Sequence, residues 1–119
     1  MPDTVKTRLE ELADRCEAAT GPSHELDLAV ADACYTHGFG GVNYDPSLWV
    51  ERYGGHTASL DAAMTLVPEG CFPLLDWTGP HCRMRDQLSR DIDGHGFAAT
   101  PALALTAAAL RARAAKEAS

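Results

Sequence analysis

Cys71-Phe72-Pro73-Leu74-Leu75-Asp76-Trp77-Thr78-Gly79-Pro80-His81-Cys82-Arg83-Met84-Arg85-Asp86-Gln87 holds two short strand-forming runs around a turn. Cys71–Trp77 and Cys82–Gln87 are the candidate strands, and Thr78-Gly79-Pro80 supplies the punctuation of a hairpin. Pro73 has no backbone N–H to give a ladder, so the first strand belongs at a sheet edge. Residues 88–95 read as a polar loop, and Gly96–Ala99 as a third short strand.

Downstream, Thr100-Pro101 starts a helix: a capping hydroxyl followed by proline at the first helical position. Leu103, Ala107, Leu110 and Ala114 continue it toward an end carrying Arg111, Arg113 and Lys116, cations that complement the helix dipole. Upstream, a helix beginning at Thr57 or Ser59 places Leu60, Ala63, Met64 and Val67 on one face. Pro68 and Gly70 stop it.

Two further helices precede these. Val5, Leu9, Leu12, Cys16 and Ala19 form one stripe, which predicts a helix from about Val5 to Ala19, capped by Thr4 or Asp3. Gly21-Pro22 ends it, and Ser23 caps a second helix to about Thr36 that buries Leu26, Val30, Ala33 and Cys34. The whole order predicts one α+β domain over 1–119. It has a small antiparallel sheet of two to three strands, packed with about four helices on both faces. Within it, 1–37 is a helical pair, 38–58 an aromatic and glycine-rich loop, and 59–119 an α-β-β-(β)-α unit.

The chain has 119 residues, 45% hydrophobic and 23% charged, the mix of an ordinary globular domain. Its net charge of −7 is uneven: residues 1–50 hold nine acidic and three basic side chains, a balance of −6. Phosphates repel such a half, which argues against direct nucleic-acid binding and suits docking onto a basic surface. No run reaches the roughly 18 apolar residues of a membrane span. Met-Pro-Asp-Thr-Val-Lys lacks a hydrophobic signal segment, so a cytoplasmic location is expected. Cys16, Cys34, Cys71 and Cys82 are then expected as free thiols.

Thr57-Ala58-Ser59-Leu60-Asp61-Ala62-Ala63-Met64-Thr65-Leu66-Val67-Pro68-Glu69-Gly70 and Thr100-Pro101-Ala102-Leu103-Ala104-Leu105-Thr106-Ala107-Ala108-Ala109-Leu110-Arg111-Ala112 together resemble a family of small phage and prophage proteins. That family is sometimes described as a phage α-β-α sandwich domain. Ala18-Ala19-Thr20-Gly21-Pro22 with Glu25-Leu26-Asp27 is similar to its first helical pair. The resemblance covers about half of the chain, and its motifs are caps, stops and small-residue packing. Family members carry tryptophan after Pro-Glu-Gly, where this chain has Cys71. The resemblance supports the α+β fold and implies a phage context, and brings no catalytic residue with it.

Several chemistries compete for the remaining residues. Cys71, His81, Cys82 and His95 could supply four metal ligands, but no C-x-x-C pair announces a zinc site, so no metal and no cofactor are expected. Asp91-Ile92-Asp93-Gly94 lacks the closing glutamate of a calcium loop and reads as a turn. Gly38-Phe39-Gly40-Gly41 follows a helix rather than a strand, so it is a helix stop and not a phosphate cradle. Ser23, Ser47, Ser59 and Ser89 each have a cap or turn role, and His56 stands alone, so no catalytic constellation forms.

The aromatic loop is the candidate binding surface. Tyr44, Trp49 and Tyr53 bring large rigid area beside glycine hinges, with Trp49 equally suited to a core. Glu10, Glu11, Asp14 and Glu17 on the first helix would steer a basic partner toward it. The expected function is a non-enzymatic phage or prophage accessory protein that binds a host or phage protein, such as an acidic inhibitor of a CRISPR-type defence complex. Two alternatives are a virion assembly component and a protein sequestering a nucleotide signal, the latter through Arg83, Arg85, Arg90 and Trp77.

Overall fold

The computed structural model describes residues 4–35, 57, 59–68, 70–76, 79–88 and 92–117. In chain order they form helices α1 (Thr4–Ala18), α2 (His24–Tyr35) and α3 (Leu60–Met64), strands β1 (Cys71–Asp76), β2 (His81–Asp86) and β3 (Ile92–Phe97), and helix α4 (Pro101–Glu117). The strands make an antiparallel meander in the order β1-β2-β3, so the chain is α+β as its pattern predicts.

Local chemistry sets the helix boundaries. Ser23 Oγ accepts the Leu26 N–H at 3.2 Å, Ser59 Oγ the Ala62 N–H at 3.2 Å and Thr100 Oγ1 the Leu103 N–H at 3.2 Å, three N-caps at the starts of α2, α3 and α4. Helix α3 is shorter than its pattern suggests. After Met64 the backbone tightens into i→i+3 bonds, from Thr65 N–H to Ala62 C=O and from Leu66 N–H to Ala63 C=O. That change rotates the buried face onto Ala62, Ala63 and Leu66 and leaves Met64 exposed, contrary to its placement in the apolar stripe. Gly70 then turns the chain into β1 at φ +86°, a conformation that only glycine adopts freely.

Helix α4 is the centre of the molecule. Nearly every side chain from Ala102 to Leu110 is buried, because the sheet covers one side while α1 and α3 cover others. A helix apolar all round is a core helix. Its contact with β3 is unusually close. A Cβ on Gly94 would stand 2.5 Å from Ala108 O and 2.8 Å from Ala112 N, and one on Gly96 would strike Ala104 O. Glycines on the strand and alanines at 104, 108 and 112 on the helix thus let the two backbones meet.

The third strand is longer and earlier than expected, spanning Ile92–Phe97 instead of Gly96–Ala99. Its inward positions are glycines, so it lacks the alternating apolar side chains by which a strand is recognised. The other two strands match their expected positions to within a residue. Pro73 is indeed on an edge strand.

All described helices lie on one side of the sheet or along its edge. Helix α4 packs across the three strands, α1 and α3 pack behind it, α2 packs on α1, and α1 also meets β3. No described helix covers the opposite face, where two-sided packing was expected.

Candidate functional site

Two surfaces carry the polar chemistry of the described residues. The first is the acidic helix α1. Glu10 and Glu11 are exposed, as a steering surface requires. Asp14 and Glu17 are both bonded to Arg111, Asp14 with its side chain still 72% exposed and Glu17 with its own 26% exposed. The Arg111 guanidinium donates to Asp14 Oδ1 at 2.7 Å and to Glu17 Oε1 at 2.6 Å, and also to the His95 carbonyl at 2.9 Å. Glu17 Oε2 accepts the Phe97 N–H at 2.9 Å.

This clasp occupies the outer edge of β3. Outward-pointing N–H and C=O groups of an edge strand invite another strand to pair, and here Phe97 N–H and His95 C=O are taken by side chains. The bond from Arg111 holds the Glu17 carboxyl below the usual range, and the Phe97 N–H adds to this against the opposing effect of burial. Arg111 is in turn held more firmly protonated, chiefly by Glu17. Tyr44, Trp49 and Tyr53, the expected anchors of the partner surface, lie outside the described residues, as do Trp77 and Arg90.

The second surface is the outer face of the sheet. Directly paired residues of antiparallel strands share a face, so the register builds three rows across it. Asp76, His81 and Phe97 form one row, Leu74, Arg83 and His95 the next, and Phe72 and Arg85 a third beside the bulge at Met84/Arg85. The ring of Phe97 stacks on His81 with centroids 3.9 Å apart and planes 5° from parallel. His81 Nε2 and His95 Nδ1 are 3.2 Å apart, one donating its proton to the other. Phe97 remains 59% exposed, and Arg83 and His95 are exposed beside it. Among the described residues neither Arg83 nor Arg85 joins an ion pair, and the buried Arg85 Nε has no hydrogen-bond partner.

The structure separates the four metal-ligand candidates. Strand alternation sends His81 and His95 outward, whereas Cys71 and Cys82 are buried on the α4 side. Burial pushes the Cys82 thiol up to about 11 and the Cys16 thiol up to about 12. Among the described residues no group of three or more His, Cys, Asp or Glu side chains is placed to hold a metal ion.

A buried polar network ties the start of α2 to the segment before α3. Asp27 Oδ1 accepts the Thr57 N–H at 2.8 Å and the Thr57 hydroxyl at 2.7 Å, and Thr57 Oγ1 accepts the Ser23 N–H at 2.9 Å. Arg113 Nε donates to the Leu66 carbonyl at 2.7 Å, tying the end of α4 to the turn after α3. These contacts join segments distant in the chain, and their chemistry is structural.

The ring cluster of Phe97, His81 and His95 went unread in the sequence. Its signal was the period-two spacing of His81, Arg83 and Arg85 and of His95 and Phe97, hidden in β3 because the alternate residues are glycines. Compared with known proteins, the chain matches no family model, no curated protein and no solved structure.

Proposed function

We propose that this chain is a non-enzymatic binding protein that holds an anionic partner on the outer face of its sheet. The observation that carries this reading is the pair Arg83 and Arg85, free of ion pairs among the described residues, beside His81 and His95. A guanidinium presents a planar fork of donors that fits phosphate or carboxylate, and one left without a counter-charge attracts such a group. The thiols of Cys16 and Cys82 are held protonated and buried, which removes them as nucleophiles. The resemblance to small phage and prophage proteins supports an accessory role directed at a host component.

The acidic-docking reading keeps one supporting feature, the exposed pair Glu10 and Glu11. Asp14 and Glu17 contribute less to it, since Arg111 offsets one of their two charges.

The two readings separate by experiment. Anion binding to the folded state raises the melting temperature by mass action. Sodium pyrophosphate should therefore raise it above the value in sodium chloride of equal ionic strength, and Arg83→Gln and Arg85→Gln should each reduce the gain. A pyrophosphate effect no larger than the chloride effect, or one untouched by both substitutions, would reject the anion reading. Retention of a host protein by the parent but not by a Glu10→Lys, Glu11→Lys variant would favour acidic docking.

A further inference from the structure

Resting on the anion reading of the sheet face, we infer that its ligand is a free nucleotide, with its base on Phe97 and its phosphates on the arginine rows. Four features of the face converge on this class. The exposed Phe97 ring is already one plate of a stack with His81, and its N–H is fixed by Glu17, so the ring is held for a further planar group. Base on aromatic stacking accepts any base because every base has a π-face.

Along the strands, the next row beyond Phe97 and His81 is Arg83 with His95. Two residues of strand span about 6.6 Å, so a ring at one row and a phosphate at the next are separated by a ribose-sized step. Arg85 follows one row further, where a second phosphate of a diphosphate would reach.

Competing occupants fit less well. A peptide adding a strand needs an open edge, and the clasp of Glu17 and Arg111 occupies Phe97 N–H and His95 C=O on β3, while Pro73 removes a donor from β1. A nucleic-acid strand brings many phosphates toward a protein of net charge −7, and their repulsion grows with each phosphate. A free nucleotide brings few charges, and within about one Debye length of 8 Å at physiological salt they meet Arg83 and Arg85 on the two rows beyond Asp76.

The test uses four probes on the full chain by isothermal titration calorimetry: ADP, pyrophosphate, adenosine and a short single-stranded oligonucleotide. ADP should bind about tenfold more tightly than pyrophosphate, the increment expected of one stacked base. Phe97→Ala and Phe97→Leu should erase that increment and leave pyrophosphate unchanged, Phe97→Leu keeping apolar bulk without a π-face. Arg83→Gln should weaken ADP and pyrophosphate alike. If pyrophosphate binds as tightly as ADP, or both Phe97 variants keep the preference, the nucleotide assignment is overturned while the anion reading stands. If no probe binds, both fall. Tighter binding of the oligonucleotide than of ADP overturns the assignment in favour of a strand.

Discussion

Gly96 shows how much one missing methyl group decides. Its Cα faces the backbone of α4, with Ala108 N 2.8 Å from where a Cβ would stand and Ala104 O nearer still. Backbone cannot rotate away as a side chain can, so Gly96→Ala must push helix and strand apart. Overpacking of this kind costs about 1–3 kcal/mol, and urea unfolding of the variant should show that loss. Gly79→Ala is the control, because nothing lies within 4 Å of a Cβ there. Equal stability of the Gly96 variant and the parent would mean that α4 does not approach β3 as described. At the same scale, the Thr57 hydroxyl satisfies buried Asp27, so a stretch that reads as a helix start is also a tie to α2.

Among elements, the clasp between α1, α4 and β3 ties stability to pH through Glu17. The Glu17 carboxyl is held below its ordinary value in the folded protein, so its contribution to stability is fully present above the unfolded value, about 4.3. It is lost as pH falls through the lower folded value. Comparing the parent with Glu17→Gln should therefore show a stability gap at pH 7 that closes in acid, below about pH 4. A hydrogen bond to a charged group contributes about 1.5–3 kcal/mol, with partial solvent exposure placing this one at the lower end. A gap that stays constant from pH 7 to pH 3 would show that the Glu17 charge contributes nothing. The strand and helix patterns in the sequence located these elements, but they assigned Glu17 to an external partner. Only their packing brought Arg111 to it.

Across the molecule, one hydrophobic cluster runs from α1 through α4 to the sheet. Cys16 on α1 and Cys82 on β2 both belong to it, and both are fully buried. With thiols pushed up to about 12 and about 11, neither carries appreciable thiolate at pH 8. Both should label only when the shared core opens, so pulsed alkylation read by peptide mass spectrometry should give them one common rate. Cys82 labelling much faster than Cys16 would divide the molecule into separately opening halves. The outer sheet face belongs to the same scale, since it exists only when β2 and β3 pair in register.

Features written in contiguous residues were legible from the sequence: the capping hydroxyls Ser23 and Thr100, the edge position of Pro73, the spans of α1 and α2, the start of α4 and the α+β class. Each depends on chemistry within a few residues of itself. The features that the tertiary structure alone decided depend on what stands opposite. The start of β3 was hidden because helix backbone, not apolar side chains, fills the space above Gly94 and Gly96. Glu17 and Asp14 changed from free charges to bonded ones because Arg111 lies 94 and 97 residues away in the chain. Phe97, His81 and His95 became a cluster through strand register, which places residues 14 apart within hydrogen-bonding distance. Local patterning sets what each segment becomes, whereas a binding face is a relation between segments, and folding alone creates it.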